Sequence, residues 1–306
     1  MARAACELDS VSRWAVTGTP IQNRISDLAA QLKFIRAYPY NDPKQFEADI
    51  SRLWKSGEDE ETAKRLKCLS ACLLLRRAKA TISLPARRDM TCPVDFSREE
   101  RAAYDEAREQ TITRIDEALH TDSEASRAGV YVNVLQQIES LRLICNLGLH
   151  YRTRRNLFST WRLTLDVVEK GLESAGIRTI RFDGNVAQKE RQSVVDRFKA
   201  DPGIRVMLLT LSCGAVGLTL TVASRAYLME PHWNPTLEEQ ALARIHRIGQ
   251  TREVTTVRFY IRDSFEERVM ELQNVKQQLA RVLLSPHDGD QGDDSFGGLH
   301  KLRALL

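Results

Sequence analysis

Seven consecutive residues, Ile204-Arg205-Val206-Met207-Leu208-Leu209-Thr210, constrain this chain more than any other stretch. A run that is almost entirely apolar, with no polar alternation, suits a strand covered on both faces, and such strands belong to parallel sheets flanked by helices. The surrounding pattern agrees. Helical spacing of Leu165, Val168 and Leu172 predicts a helix over 160–175, and Val194, Val195 and Phe198 predict another over 187–200. Short apolar strands are expected at 178–182, 225–229 and 253–261, and Ser264-Phe265-Glu266-Glu267 starts a last helix to about Leu284. Strands alternating with helices give an α/β chain with a doubly wound parallel sheet, whose ligands sit at strand carboxyl ends.

Four elements fall at such ends. Residues 13–16 read as a buried strand running into Thr17-Gly18-Thr19-Pro20-Ile21-Gln22-Asn23, then a helix over 25–36 with Leu28, Leu32 and Ile35 inward. Asp183-Gly184 follows the strand at 178–182, and Ser212 to Gly217, with Gly214 between, follows the apolar run. The fourth is EPHWNPTLEEQALARIHRIGQ, from Glu230 to Gln250. There a Trp-Asn-Pro turn leads into a helix expected to end at Gly249. Gln240, Arg244 and Arg247 stand at i, i+4 and i+7 and share one face; Leu237, Ala241, Ile245 and Ile248 share a neighbouring apolar one. Two permanently charged, fork-shaped guanidiniums beside an amide suit phosphate oxygens. The same face also suits plain solvated salt bridges to Glu238 and Glu239, and by itself the helix does not separate the two.

The first half is mainly helical. Helices are expected over 43–57 and 60–81, the second with Leu69, Cys72, Leu73 and Leu75 inward. Arg76, Arg77, Lys79, Arg87 and Arg88 bracket Leu84-Pro85, either against a phosphate backbone or as a solvated corner. A short strand is expected at 89–96. Ser97-Arg98-Glu99-Glu100 is a capping box opening a polar helix to about His120, and a further helix covers 131–145 with Val134, Ile138, Leu141 and Cys145 at helical spacing. Asp105-Glu106-Ala107-Arg108 and Asp116-Glu117-Ala118-Leu119 mimic acidic metal boxes, but no apolar strand precedes them, so they read as helix surface. The six cysteines include no CxxC pair, and Cys68 and Cys72, one turn apart, read as buried thiols. No run is long enough to span a bilayer and no secretory leader is evident, so a chain neither secreted nor membrane-bound is expected. The net charge of +4 is too small to argue for nucleic acid unless it is clustered. A dinucleotide-binding oxidoreductase fits poorly, because 212–218 lacks GxGxxG spacing.

Taken in order, these elements resemble the Swi/Snf-type ATPases of helicase superfamily 2. The matching stretches are VTGTPIQN, FSTW with the following LDVVE, LTLSCGAVGLTLT, and EPHWNPTLEEQALARIHRIGQ with its family-typical Gln ending. The wording around LLLRRAK and LP is most similar to the helicase-like transcription factor and post-replication repair branch. The resemblance implies an ATP-driven motor on double-stranded DNA, acting in the nucleus on chromatin or with repair factors, with ATP and Mg²⁺ as cofactors. It implies a RecA-like parallel sheet as the helicase C-terminal lobe, preceded by a mainly helical remnant of a first lobe. The expected divisions are 1–36 for the end of the first lobe, 37–150 for a helical linker region, 151–284 for the C-terminal lobe and 285–306 for a disordered tail. Arg244 and Arg247 would be arginine fingers on the ATP phosphates, with Gln240, Gly214 and Gly217 on the nucleotide side. Thr17, Gly18, Thr19, Asn23, Ser212, Trp233 and Asn234 would contact DNA or couple it to nucleotide state, and Arg181 and Arg191 are weaker candidates for DNA contact or a salt bridge.

The departures are as informative. No GxxxxGK[ST] loop and no strand-borne acidic box occur, so no metal site is expected in this chain, and the first lobe is expected to be almost wholly absent. Without both, the chain is expected not to hydrolyse ATP alone, and a non-catalytic DNA- or partner-binding module is the alternative. The cysteines provide no RING finger, so no ubiquitin-ligase activity is expected. Relatives place an apolar strand ahead of FSTW, whereas His150-Tyr151-Arg152-Thr153-Arg154-Arg155-Asn156 is a poor strand core. A lobe lacking that central strand is expected to be less stable.

Overall fold

The computed structural model describes residues 2–17, 20, 25–53, 59–75, 82–119, 124–149, 160–214 and 217–284. Two compact units emerge: Met1–Ser83 with Trp233–Thr236 and Glu271–Leu306, and Leu84–His232 with Leu237–Met270. The basic trio Arg76, Arg77 and Lys79, the 150–156 segment and the tail beyond Leu284 lie outside the described residues.

The described part of the first unit is helical: α1 (Ala2–Glu7), α2 (Ser26–Phe34), α3 (Pro43–Phe46) continuing as a π-helical turn over Glu47–Ser51, and α4 (Asp59–Leu73). Asp42 caps α3 by accepting from the Lys44 N–H at 2.9 Å, ahead of Pro43 at the first helical position. Ile25, Leu28, Ala29 and Leu32 pack with Phe46, Ile50, Leu66 and Val275, and Ile35 and Leu69 border that core. The inward stripe read for the 25–36 helix is therefore the observed one. On α4 the stripe differs: Thr62, Leu66 and Ser70 are buried, whereas Cys68, Cys72 and Leu73 are exposed. Burying Leu66 and Ser70, four residues apart, turns the expected Cys72 side outward. Residues 13–16 form no strand, and Trp14 and Val16 are 78% and 95% exposed. A parallel strand needs hydrogen-bonded neighbours, and none among the described residues pairs with this stretch. Instead Arg13 ties it down, donating to the Cys6 and Phe34 carbonyls at 3.2 and 3.3 Å.

The second unit holds the parallel strands expected from the sequence. Its elements are β1 (Arg87–Val94), α5 (Arg98–Leu119), α6 (Glu124–Leu147), α7 (Thr160–Ser174), β2 (Thr179–Phe182), α8 (Arg191–Ala200), β3 (Val206–Leu209), α9 (Leu211–Gly214), β4 (Arg225–Leu228), α10 (Pro235–Leu242), β5 (Val254–Ile261) and the start of α11 (Phe265–Leu284). β5 is central in a three-stranded parallel sheet of order β1-β5-β4, with Arg87 opposite Val254 and Arg225 opposite Thr255. β2 and β3 pair separately, Thr179 opposite Val206. Because β1 joins this sheet, Leu84 onward packs with the later strands.

Phe182, Val195, Cys213, Leu220, Ile245 and Val254 form one core, bordered by Val194, Phe198, Met207, Leu209 and Ala226. The inward face read for α8 is thus correct. β3 is less enclosed than its apolar run suggests: only Leu208 of its four residues is buried, in keeping with a single β neighbour among the described residues. Tyr104, Leu141 and Ile144 form a second core with Phe96, Cys145 and Phe265 around it. The capping box is present, with Ser97 N–H donating to Glu100 at 2.9 Å and Glu100 N–H donating to Ser97 Oγ at 3.3 Å. At α11 the reciprocal carboxylate is Glu266 rather than Glu267. Ser264 Oγ accepts from Glu266 N–H at 3.1 Å, and Glu266 accepts from Ile261 N–H at 2.8 Å.

Phe182 is 1% exposed and sits in the core that spans both sheet pieces. Phe182→Ala is expected to cost the second unit about 3–5 kcal/mol, read as an earlier urea midpoint for its transition with the helical signal of the first unit unchanged.

Candidate functional site

The Glu230–Gln250 stretch does not form one helix to Gly249. α10 ends at Leu242, and Arg244 and Arg247 lie on the turns that follow. Gln240 is therefore on the helix and the two arginines are beyond it, so the three do not share a helical face. The i→i−4 ladder gives way to shorter bonds, Arg244 N–H to Ala241, Ile245 N–H to Leu242 and Gln250 N–H to Arg247, at 3.1, 3.1 and 2.9 Å. Gly249 has φ +97°, a left-handed turn that a side chain would strain. Leu242 and Ile245 take the buried positions, and Ile248, expected inward, is 67% exposed.

Two clamps hold this arginine turn. The Leu220 N–H donates to the Arg244 carbonyl at 2.9 Å, and Arg247 Nη1 reaches the Leu218 carbonyl at 3.5 Å. The loop after Gly217, itself at φ +42°, thus meets the arginine turn. Gln250, 6% exposed, is the second clamp. Its Nε2 donates to the Ala223 and Ile245 carbonyls at 2.8 and 3.3 Å, and its Oε1 accepts from the Thr251 and Arg252 N–H groups at 3.0 and 2.9 Å. His246 adds a contact from its Nε2 to the Pro85 carbonyl at 2.8 Å.

Glu238 and Glu239 take up cations from elsewhere in the second unit. Glu239 takes a two-pronged bond from Arg87 at 2.9 and 3.0 Å, which raises the Arg87 pKa further above its ordinary value. Glu238 is fully buried, accepts from His232 N–H at 2.7 Å and pairs with Arg258. The Arg247 guanidinium end faces solvent beside a backbone carbonyl, while Arg244 is half-buried.

The other sequence candidates are distributed as follows. Ser212 is exposed on α9, 3.4 Å from the Thr210 hydroxyl, and Gly214 ends that helix. Asn234 is buried and its side chain accepts from Thr236 N–H at 3.0 Å, capping α10. The Trp233 carbonyl accepts from Lys276 Nζ at 3.4 Å, and burial lowers the Lys276 pKa. Trp233, Asn234 and the exposed Thr17 group with the first unit, and Ser212, Gly214, Gly217, Gln240, Arg244 and Arg247 with the second. Gly18, Thr19 and Asn23 lie outside the described residues.

Asp183-Gly184, offered by the sequence as a ligand turn, is occupied by an internal network. Arg181 pairs with Asp166, Glu169 and Asp183 at 2.7, 2.8 and 2.9 Å, and Asp183 also accepts from Asn185 N–H at 2.8 Å. Arg181 therefore braces α7 against β2. Arg191 lies over the Phe182 ring at 5.7 Å. The two acidic tetrapeptides fall within the polar helix α5, where Arg101 approaches Asp105 at 3.9 Å. Among the described residues no group of three or more His, Cys, Asp or Glu side chains is placed to hold a metal ion.

A buried charge cluster behind the β4 end escaped the sequence reading. Glu230 is 2% exposed with both carboxylate oxygens unpartnered, and Glu266 and Arg142 are 3% and 6% exposed. Burial pushes the Glu230 pKa up to about 8; Arg142 opposes this, and Glu266 and Glu139 add to it. Burial likewise raises Glu266 to about 7, against the Ile261 N–H bond and Arg142. Arg142 also donates to the Pro231 carbonyl at 3.4 Å. No local pattern marks this cluster, since its members come from α6, the β4 end and α11. The Gln250 clamp had one visible sign, the Gln that closes the stretch.

Two outcomes are expected. A carboxyl whose folded pKa is raised contributes stability that is fully present below the unfolded value and lost as pH rises through the folded one. The second unit should therefore lose stability from about pH 4.5 to about pH 8, and Glu230→Gln should flatten that decline in urea titrations at stepped pH. Gln250→Ala leaves buried partners unmatched and should cost about 1–3 kcal/mol, with faster amide exchange at Thr251 and Arg252.

The SNF2-related domain matches residues 1–148 and the helicase conserved C-terminal domain matches residues 137–249. A putative SWI/SNF-related matrix-associated actin-dependent regulator of chromatin subfamily A member 3-like 1 of Arabidopsis thaliana is 27% identical over 407 residues, covering 91% of this chain and 46% of that protein. DNA repair protein RAD5A of Arabidopsis thaliana is 40% identical over 155 residues, 51% of this chain and 14% of its own length. The helicase-like transcription factor of Mus musculus is 24% identical over 441 residues, 99% of this chain and 44% of the relative. The chain thus spans less than half the length of these relatives. The crystal structure of the C-terminal part of the Fun30 ATPase domain shares the fold, with TM-score 0.50 and 15% identity over 66% of this chain and 98% of that one. The two domain matches together run without a break from residue 1 to residue 249, and with these relatives they support a Snf2-type helicase-like chain.

Proposed function

We propose that this chain supplies the arginine-finger half of an ATP-driven translocase on double-stranded DNA, of the chromatin-remodelling and DNA-repair kind. The observation that carries this is the arginine turn. It is fixed through backbone and Gln250, while the neighbouring carboxylates Glu239 and Glu238 are engaged by Arg87 and Arg258. A held backbone with an outward guanidinium is what charge delivery to a transferring phosphoryl group requires. In this reading Arg244 and Arg247 act on the ATP phosphates, and Gln240, Gly214 and Gly217 lie on the nucleotide side. Thr17, Gly18, Thr19, Asn23, Ser212, Trp233 and Asn234 serve DNA contact and its coupling to nucleotide state. Mg²⁺, where bound, would supply charge neutralisation at the phosphates; among the described residues no group of three or more His, Cys, Asp or Glu side chains is placed to hold it. The likeness to relatives named for DNA repair and for helicase-like transcription factors supports nuclear action on duplex DNA, with nucleosomes or repair factors as partners.

A second reading is a non-catalytic DNA- or partner-binding module, favoured by the lack of a GxxxxGK[ST] sequence in these 306 residues. On either reading the chain alone is expected to show no DNA-stimulated ATP turnover. The two separate on mixing with a purified P-loop-bearing first lobe from a relative. Turnover should then emerge, and Arg247→Ala should reduce it by about 10³–10⁵. Duplex binding without turnover in the mixture would favour the module, and turnover by the chain alone that Arg247→Ala abolishes would overturn the proposed division of labour.

A further inference from the structure

The helix α4 presents two thiols that the motor reading does not use. Cys68 and Cys72 are both exposed, although the sequence suggested buried thiols. Both line an open groove of about 330 Å³, together with Tyr40, Leu69, Lys64 and the Glu61–Arg65 ion pair at 2.8 Å. Glu61, Arg65, Cys68 and Cys72 stand at i, i+4, i+7 and i+11, so one stripe of the helix carries the charges and both sulfurs.

We propose that Cys68 and Cys72 form a two-thiolate binding site for a soft, two-coordinate cation of the Cu(I) class. Side chains four apart on a helix have Cβ atoms about 5–6 Å apart. A disulfide needs about 3.5–4.5 Å, so the intact helix disfavours direct oxidation of the pair. Zinc–thiolate bonds are about 2.3 Å; two metal–sulfur bonds of that order in line place the sulfurs roughly 4.6 Å apart, within reach of two exposed side chains on one stripe. Thiolates select soft cations. Zinc in a closed protein site wants four ligands, and among the described residues no third His, Cys, Asp or Glu completes a set here. Two thiols and one Cu(I) give a bis-thiolate with one net negative charge and two released protons. Lys64 on the groove rim, and Arg65 beside it, offset that charge.

The test is an anaerobic titration of the full, reduced chain with Cu(I) against a chromophoric bis-chelator of Cu(I). One equivalent should be taken up per chain, with the chain monomeric by size exclusion. Cys68→Ser and Cys72→Ser should each weaken uptake by more than the roughly 10–100-fold that loss of a mere supporting contact costs. Cys6→Ser and Cys92→Ser should leave it unchanged. X-ray absorption of the loaded parent chain should count two sulfur neighbours, a readout that does not depend on any variant folding. Unchanged uptake in both variants, a copper-bridged dimer, or three or more sulfur neighbours would each overturn the site.

Discussion

Strand β5 is the constraint on which the second unit depends. It is the strand in its sheet with a neighbour on each side, and those neighbours come from distant parts of the sequence, β1 from residue 87 and β4 from residue 225. Two consequences follow from that double pairing. Arg87, at the start of β1, reaches Glu239 on α10, and Asp89 meets Thr256. The residue just ahead of the strand, Glu253, pairs with Arg88, and Gln250 anchors the arginine turn three residues earlier. The turn is thus stretched between a helix pinned by Arg87 and Arg258 and a strand pinned on both edges. Its backbone is held by these contacts, and the Arg247 guanidinium lies at the solvent edge, reaching the Leu218 carbonyl at 3.5 Å.

Much of this fold was legible because burial in parallel sheets leaves a strong local trace. The inward face of α8 and the Ser97 capping box each carry their cause within a few residues. Features set by distant partners were less legible. The stretch at 13–16 looks like a buried strand, yet burial there depends on neighbours that local pattern cannot supply. The α4 stripe was misassigned by about a quarter turn, because Leu69, Cys72 and Leu73 are apolar enough to suggest the inner face while Phe46 and Ile50 select Leu66 instead.

The candidate site divides in the same way. Residue types and order nominated the arginines, the glycines of the 212–217 turn and the Gln ending. They did not reveal that the helix stops at Leu242, since Ala243-Arg244-Ile245-His246-Arg247 has good helical spacing. The competing bonds are tertiary: the Leu220 N–H takes the Arg244 carbonyl, and Gln250 takes that of Ile245. Asp183 shows the converse error. A carboxylate at a strand end invites a ligand, but Arg181 two residues earlier already answers it.

The sheet pieces raise a last physical point. β3 pairs only with β2 and β4 only with β5 among the described residues, although Phe182 and Leu209 share a core with Val254 and Ala226. Core packing is therefore continuous where hydrogen bonding is not. The match to the mouse relative extends over 441 residues while using almost all of this 306-residue chain, so the relative has a long interior stretch with no counterpart here. The polar, arginine-rich run at 150–156 lacks the apolar side chains that a strand between two others would bury. Among the described residues β3 is paired along one edge, and three of its four residues are half-buried. Stability in the second unit then rests on the side-chain core around Phe182 and on the β5 pairings, and the arginine turn is built directly onto both through Ile245 and Gln250.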